Sequence, residues 1–257
     1  MTDRTDNSLD RYDRQLRGDF LTEAHQAMLS RATVAIIGVG GLGSWTADLL
    51  ARAGVGTLML ADPDIVETVN LHRQDLYTEA DVGWPKATVA AKRLRRINSQ
   101  VTASGHRLRV APKTMGMLAG NADLILDGTD NFATRFMIND YAVATGTPWI
   151  FTGVTATEGQ LLVIRPGDTA CLRCLMPTPP DTEITCMDLG VLGPAVALHS
   201  ARQATEAIKL LTGQADAATP YLEKTNLWTN TVQRLQLPID PDCPCCGRRQ
   251  FDFWSPS

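Results

Sequence analysis

Apolar and polar positions alternate along this chain in two different periods. Val34 to Ile37 is a short apolar run that ends in Gly38-Val39-Gly40-Gly41-Leu42-Gly43. An alanine- and leucine-rich stretch of helical period follows. A second apolar run, Thr57 to Ala61, then closes on Asp62. Strand, glycine turn, helix and strand in that order predict a parallel βαβ unit, because a crossover helix must return the chain to the same end of the sheet. Leu21, Ala24, His25 and Met28 have the spacing of a helix packing one face. A helical run starts at Lys86, just after Pro85, and continues through Ile97. Val101 to Val110 alternates as a strand does. Asp123 to Asp127 reads as a further parallel strand, Pro148 to Phe151 as the next, and Gly159 to Ile164 as the start of an antiparallel extension. A long amphipathic helix is expected from Pro194 to Leu211, ending near Gly213. Two β-like runs follow, Tyr221 to Trp228 and Thr231 to Leu237.

These elements predict an α/β fold: a Rossmann-like, mostly parallel sheet with helices on both faces and an antiparallel C-terminal extension. Residues 1–10 are polar and are expected to form a disordered tail. Residues 11–165 read as the nucleotide-binding core. Residues 166–257 read as an extension continuous with it, and 176–185, rich in proline and threonine, as a mobile loop within that extension.

Composition narrows the picture modestly. The chain has 257 residues, 44% of them hydrophobic and 20% charged, as in globular proteins that bury a substantial core. A net charge of −4 gives no general pull toward nucleic acid or anionic membrane, and neither partner is expected. No signal-like leader and no apolar run of bilayer length is seen, so a cytoplasmic location is expected. The six cysteines all follow residue 170, and five form two tight groups, Cys171/Cys174 and Cys243/Cys245/Cys246.

Candidate chemistry gathers at the carboxyl ends of the strands, where open α/β sheets bind ligands. Gly38, Gly40 and Gly43 keep the G-x-G-x-x-G spacing, which lets backbone N–H groups meet a phosphate at a helix N-terminus. Asp62, at the end of the second strand, suits ribose hydroxyls. Alone, the motif predicts a nucleotide site and nothing finer, and a tight turn in a non-binding sheet is the plain alternative. The loop after Asp62 brings Asp64, Asn70, Arg73 and Gln74 close together. Lys86, at a helix start, can meet an anion there, or can simply be a surface lysine. Asp130 follows the strand ending at Asp127; facing phosphates, it would need Mg²⁺ between them. Asn131 can cap the helix that begins near Phe132. Arg11 to Gln15 reads as a solvated helix turn. Cys171, Cys174, Cys243 and Cys246 form two C-x-x-C-type steps, the donor set of a closed tetrahedral Zn²⁺ site with a structural role. Cys245 is left over.

The ordered series RYDRQ, GVGGLGS, LADPD, NLHRQ, WPKA, DGTDN, EGQ, CLRC, TCMDLGVLGP and CPCCG, from Arg11 to Cys246, resembles the ThiF/MoeB/HesA family of adenylyltransferases, relatives of the ubiquitin-activating enzymes. The resemblance implies a homodimer that binds MgATP and adenylates the C-terminal glycine of a small ubiquitin-fold sulfur carrier ending in Gly-Gly. It implies that Gly41 lies against the phosphates and that Asp62 holds the ribose. Asn70, Arg73 and Lys86 would grip the triphosphate, Asp130 would hold Mg²⁺ with Asn131 beside it, and Arg14 would reach the partner subunit's ATP. Cys186 matches a cysteine that in some members becomes covalently linked to the activated carrier and in others is dispensable. No sulfur-transfer domain follows Cys246, so a separate donor such as a cysteine desulfurase or rhodanese is expected. Three alternatives stand beside this one, the first a non-catalytic, zinc-stabilised binding scaffold whose nucleotide is structural. A peptide carboxylate could be activated by the same chemistry in natural-product biosynthesis. An NAD-dependent oxidoreductase would also account for the glycine turn and Asp62.

Overall fold

β1 (Thr33–Ile37) lies inside the sheet because both of its faces are apolar: Val34 and Ile36 point to one layer, Ala35 and Ile37 to the other. The computed structural model describes residues 9–180 and 189–255. β1 pairs in parallel with β2 (Thr57–Ala61) on one side and with β4 (Leu124–Asp127) on the other. β3 (Thr102–His106) flanks β2, and β5 (Trp149–Thr155) flanks β4. From there the sheet turns antiparallel through β6 (Glu158–Ile164), β7 (Leu222–Asn226) and β8 (Thr231–Leu235). The spatial order is β3-β2-β1-β4-β5-β6-β7-β8. The strand order reverses between β1 and β4, which opens a crevice at their carboxyl ends.

Helices cover both faces. α1 (Asp13–Leu16) and α7 (Leu172–Leu175) are short. α2 (Glu23–Arg31), α3 (Gly41–Ala53), α4 (Lys86–Ile97) and α8 (Gly193–Leu211) pack on the Val34/Ile36 side. α5 (Pro112–Ala119) and α6 (Phe132–Thr145) pack on the Ala35/Ile37 side, together with the cysteine segments. The expected α/β architecture is therefore present, with its parallel core and antiparallel extension.

Several local expectations are corrected. The strand drawn from Val101 to Val110 stops at His106, whose carbonyl accepts from the N–H groups of both Asp62 and Leu108, so the chain turns there. Leu108 and Val110 pack on the α5/α6 side instead. The buried face of α2 is Gln26 and Leu29; Leu21 is buried ahead of the helix, and Ala24 and Met28 are exposed. Gln26 occupies the core position because its amide donates to Ala53 O at 3.0 Å, a pairing that hydrophobic spacing cannot reveal. The turn at Arg11 to Gln15 is not wholly solvated: Tyr12 is buried, and its hydroxyl donates to Gln100 Oε1 and accepts from Asn98 Nδ2, each at 2.9 Å.

The glycine turn is set by backbone contact. Gly38 has φ +85°, and a Cβ on Gly43 would stand 1.9 Å from the Gly38 carbonyl oxygen. A Cβ on Gly128, at the end of β4, would stand 2.2 Å from the same oxygen. Gly43→Ala is expected to cost about 1–3 kcal/mol by forcing α3 away from β1. A melting curve reads this as a fall of roughly 2–4 °C per kcal/mol, and an unshifted curve would contradict the packing described.

Candidate active site and metal centre

The crevice at the carboxyl ends of β1, β2 and β4 is a cavity of about 860 Å³. Gly38, Gly40 and Gly41 line one wall, with α3 beginning at Gly41 so that its first N–H groups face inward. Gly43 sits one turn deeper, outside the lining, and serves packing. Asp62 and Asp64 follow from β2; Asn70, Arg73 and Gln74 come from the next loop, Lys86 from the start of α4, and Asp130 and Asn131 from the β4–α6 turn. Residues spread over 94 positions thus meet around one space.

Asp62, Lys86 and Asn131 are each held by a nameable contact. Asp62 is buried; its Oδ2 accepts from Val39 N–H at 2.8 Å and its Oδ1 from Asp64 N–H at 2.9 Å. Burial raises its carboxyl above the usual range, with those N–H groups and Lys86 opposing. The anionic form, which accepts best from a hydroxyl, is therefore lost at higher pH than for a free carboxyl as the solution is acidified. Lys86 is only 5% exposed and its Nζ lies 3.3 Å from Asp64 Oδ2, which excludes the surface-lysine reading. Asn131 caps α6, its Oδ1 accepting from Thr134 N–H at 2.9 Å, while Asp130 is exposed and its carboxylate has no hydrogen-bond or ion-pair partner among the described residues. The capping role of Asn131 matches the sequence expectation.

The donor set fits a nucleotide with its cation. Asn70 Oδ1 and Gln74 Oε1 are buried polar atoms without a partner among the described residues, and both residues line the cavity. A cation at Asp130 would offset the repulsion between its carboxylate and phosphates. Arg14 is 84% exposed, its one ion pair among the described residues is with the neighbouring Asp13, and it is not among the residues that line the cavity. Cys186 lies outside the described residues.

Three contributors escaped the sequence reading. The hydroxyl of Tyr77 donates to Val39 O at 2.7 Å, tying the glycine turn to its following loop. The indole N–H of Trp45 donates to Arg73 O at 3.2 Å, pinning the Arg73 backbone. Arg135 is buried against Asp127 and also lines the cavity. None has a motif signal, since each acts through a carbonyl or a carboxylate reached only after folding.

On the far side of α6, the sulfurs of Cys171, Cys174, Cys243 and Cys246 lie within 4.8 Å of one another. Cys171 and Cys243 are 3.6 Å apart and Cys174 and Cys246 3.4 Å, near the edge of about 3.8 Å that Zn–S bonds of about 2.3 Å give a tetrahedron. The residues fit zinc. Burial pushes the Cys246 thiol up to about 12, so metal binding must displace protons, and affinity rises with pH. Cys245 is buried and accepts from Asn139 Nδ2 at 3.3 Å, consistent with its being spare. Between the first two cysteines, Arg173 pairs with Asp140 at 3.4 Å and Asp252 at 2.8 Å and donates to Pro177 O and Gln250 O.

The model of the family described as "ThiF family" matches residues 12–245. The chain belongs to the ThiF family. Among ThiF relatives, the sulfur carrier protein ThiS adenylyltransferase of Bacillus subtilis is 40% identical over 250 residues, 95% of this chain and 74% of that protein. The protein of the same description from Escherichia coli is 39% identical over 251 residues, 96% of this chain and 98% of that protein. Among solved ThiF-like folds, a crystal structure of E. coli MccB with ATP superposes with a TM-score of 0.78 at 25% identity, covering 88% of this chain and 70% of that one. No helix among the described residues is long and apolar enough to cross a membrane.

Complete removal of zinc by a chelator is expected to lower the melting temperature and to speed amide exchange in 171–176 and 243–254, while Cys243→Ser should reduce bound zinc. Equal melting curves for the loaded and stripped protein would overturn the assignment.

Proposed function

We propose that this chain activates the C-terminal glycine carboxylate of a small ubiquitin-like sulfur-carrier protein as an acyl-adenylate, using ATP and releasing pyrophosphate. The observation that carries this reading is the gathering of Asn70, Arg73, Lys86 and Asp130 around the glycine turn after β1 and the Asp62 carboxylate that follows β2. A dinucleotide's pyrophosphate bridge needs far less cationic and metal-binding equipment. Identity of 39–40% to ThiS adenylyltransferases, with 98% of the E. coli protein covered, favours a carrier protein over a free peptide as acceptor.

The chemistry follows from the residue types. A carboxylate is already ionised near neutral pH, so attack at the α-phosphorus requires no general base. Negative charge grows on the phosphate oxygens and on the leaving pyrophosphate. Arg73 and Lys86 stabilise that charge and hold the triphosphate in line, and the N–H groups at Gly40 and Gly41 meet it from the helix end. Asp62 orients the ribose; Asp64 fixes the Lys86 ammonium, and Asn70 and Gln74 donate or accept at the nucleotide. Asp130, beside Asn131, is the residue assigned to Mg²⁺, which when bound neutralises phosphate charge and aligns the leaving group. In a homodimer, Arg14 of one protomer completes the other's site. Cys186 is assigned to covalent attachment of the carrier after activation, its thiolate attacking the acyl-adenylate carbonyl so that the acyl–phosphate bond breaks and AMP leaves, with sulfur supplied by a separate donor protein.

The test is Mg²⁺-dependent ATP–pyrophosphate exchange, with and without a carrier ending in Gly-Gly. Carrier-dependent exchange is expected, falling by about 10²–10³ in Asp130→Ala and in Arg73→Ala with unchanged melting curves. Wild-type exchange in either variant would refute the assigned roles. Cys186→Ala is expected to keep exchange and to lose sulfur loading of the carrier.

A further inference from the structure

Asp130 is an exposed side chain on a turn whose backbone is fixed on every other side. Asp127, fully buried at the end of β4, accepts from Thr129 N–H at 2.9 Å and Thr129 Oγ1 at 2.7 Å through Oδ1. Its Oδ2 accepts from Arg135 Nε at 2.9 Å, and its own carbonyl accepts from Gln203 Nε2 at 2.8 Å. Arg135, one turn into α6, reaches back with Nη2 to Thr129 O at 2.7 Å and across to Thr152 O on β5 at 3.3 Å. Its guanidinium lies over the rings of Phe132 and Phe151 at 5.2 and 5.1 Å. The peptide bond that joins Thr129 to Asp130 is therefore gripped at its carbonyl by a cation that the neighbouring strand also anchors.

A buried ion pair is a poor device for stability alone, since desolvation of both groups offsets most of their attraction. A planar guanidinium that serves one carboxylate and two carbonyls, one on the β4–α6 turn and one on β5, is suited instead to fixing geometry. We propose that Arg135 is a positioning residue for the adenylation reaction: braced by Asp127, it holds the Thr129–Asp130 peptide so that the Asp130 carboxylate is aimed at the nucleotide's divalent cation. A lysine ammonium is a single nitrogen, so where it meets Thr129 O and Thr152 O as Nη2 does, it cannot also make the Nε bond to Asp127 Oδ2.

This inference rests on Asp130 being the Mg²⁺-binding residue, and the experiment separates the two. Calorimetric titration of the full chain with ATP, once in EDTA and once in saturating MgCl₂, gives the tightening that Mg²⁺ confers, a readout independent of turnover. Arg135→Lys is expected to melt as a folded protein and to bind ATP in EDTA as the wild type does. Its Mg²⁺-dependent tightening should shrink by about 10–100-fold, the usual effect of removing a group that orients a metal ligand. Asp130→Asn should lose the tightening as well. Undiminished tightening in folded Arg135→Lys, with loss in Asp130→Asn, overturns the positioning role alone. Undiminished tightening in Asp130→Asn overturns the Mg²⁺ assignment and the inference with it. If Arg135→Lys does not fold, Thr129→Val removes only the hydroxyl brace to Asp127. A smaller loss of tightening is then expected, and full tightening in that folded variant overturns the proposal.

Discussion

One carbonyl oxygen, that of Gly38, sets the distance between three pieces of backbone: the end of β1, the first turn of α3 and the end of β4. Gly43 and Gly128 both lie so near it that no side chain fits on either. The strand order reverses at this junction, so the contact fixes how wide the crevice opens. The remaining parts of the site are referenced to that junction. Tyr77 ties the following loop to Val39, Asp62 accepts from the same residue's N–H, and the β4–α6 turn starts from Gly128. A small displacement there would move the amides at the start of α3 relative to Asp130, and group transfer in line tolerates little misplacement.

The parallel core was legible because it obeys two simple periods. β2 matches its expected bounds of Thr57 to Ala61, and α4 runs from Lys86 to Ile97 as read. Misreadings fell where a polar residue does a hydrophobic one's work. Gln26 replaces an apolar residue on the buried face of α2, and Tyr12 is sunk beneath a segment that otherwise reads as solvated. Strand ends slipped for a related reason. The alternation from Val101 continues to Val110, but pairing with β2 stops at His106, and the later apolar residues turn to another layer.

The site was legible as a set of charged residues spaced around a glycine turn, but not as a geometry. Lys86 illustrates the gap: nothing in Pro85-Lys86 distinguishes a surface lysine from one buried against Asp64, because burial is decided by residues 64–66 folding back on 83–86. Arg135 was illegible for a stronger reason. Its partners are mostly backbone carbonyls, which carry no sequence identity.

The Arg173 network and the four thiols draw on α6, on the segment after β6 and on residues past β8. Cys174 and Cys246 are 72 positions apart, and the second of them follows β1 to β5, which are all complete by Thr155. During synthesis the parallel sheet can consolidate first, and the lobe that carries the thiols stays open until residue 246 has emerged. A metal held by these thiols would close that lobe last, so its supply to the nascent chain would limit how much protein matures rather than how fast each molecule works.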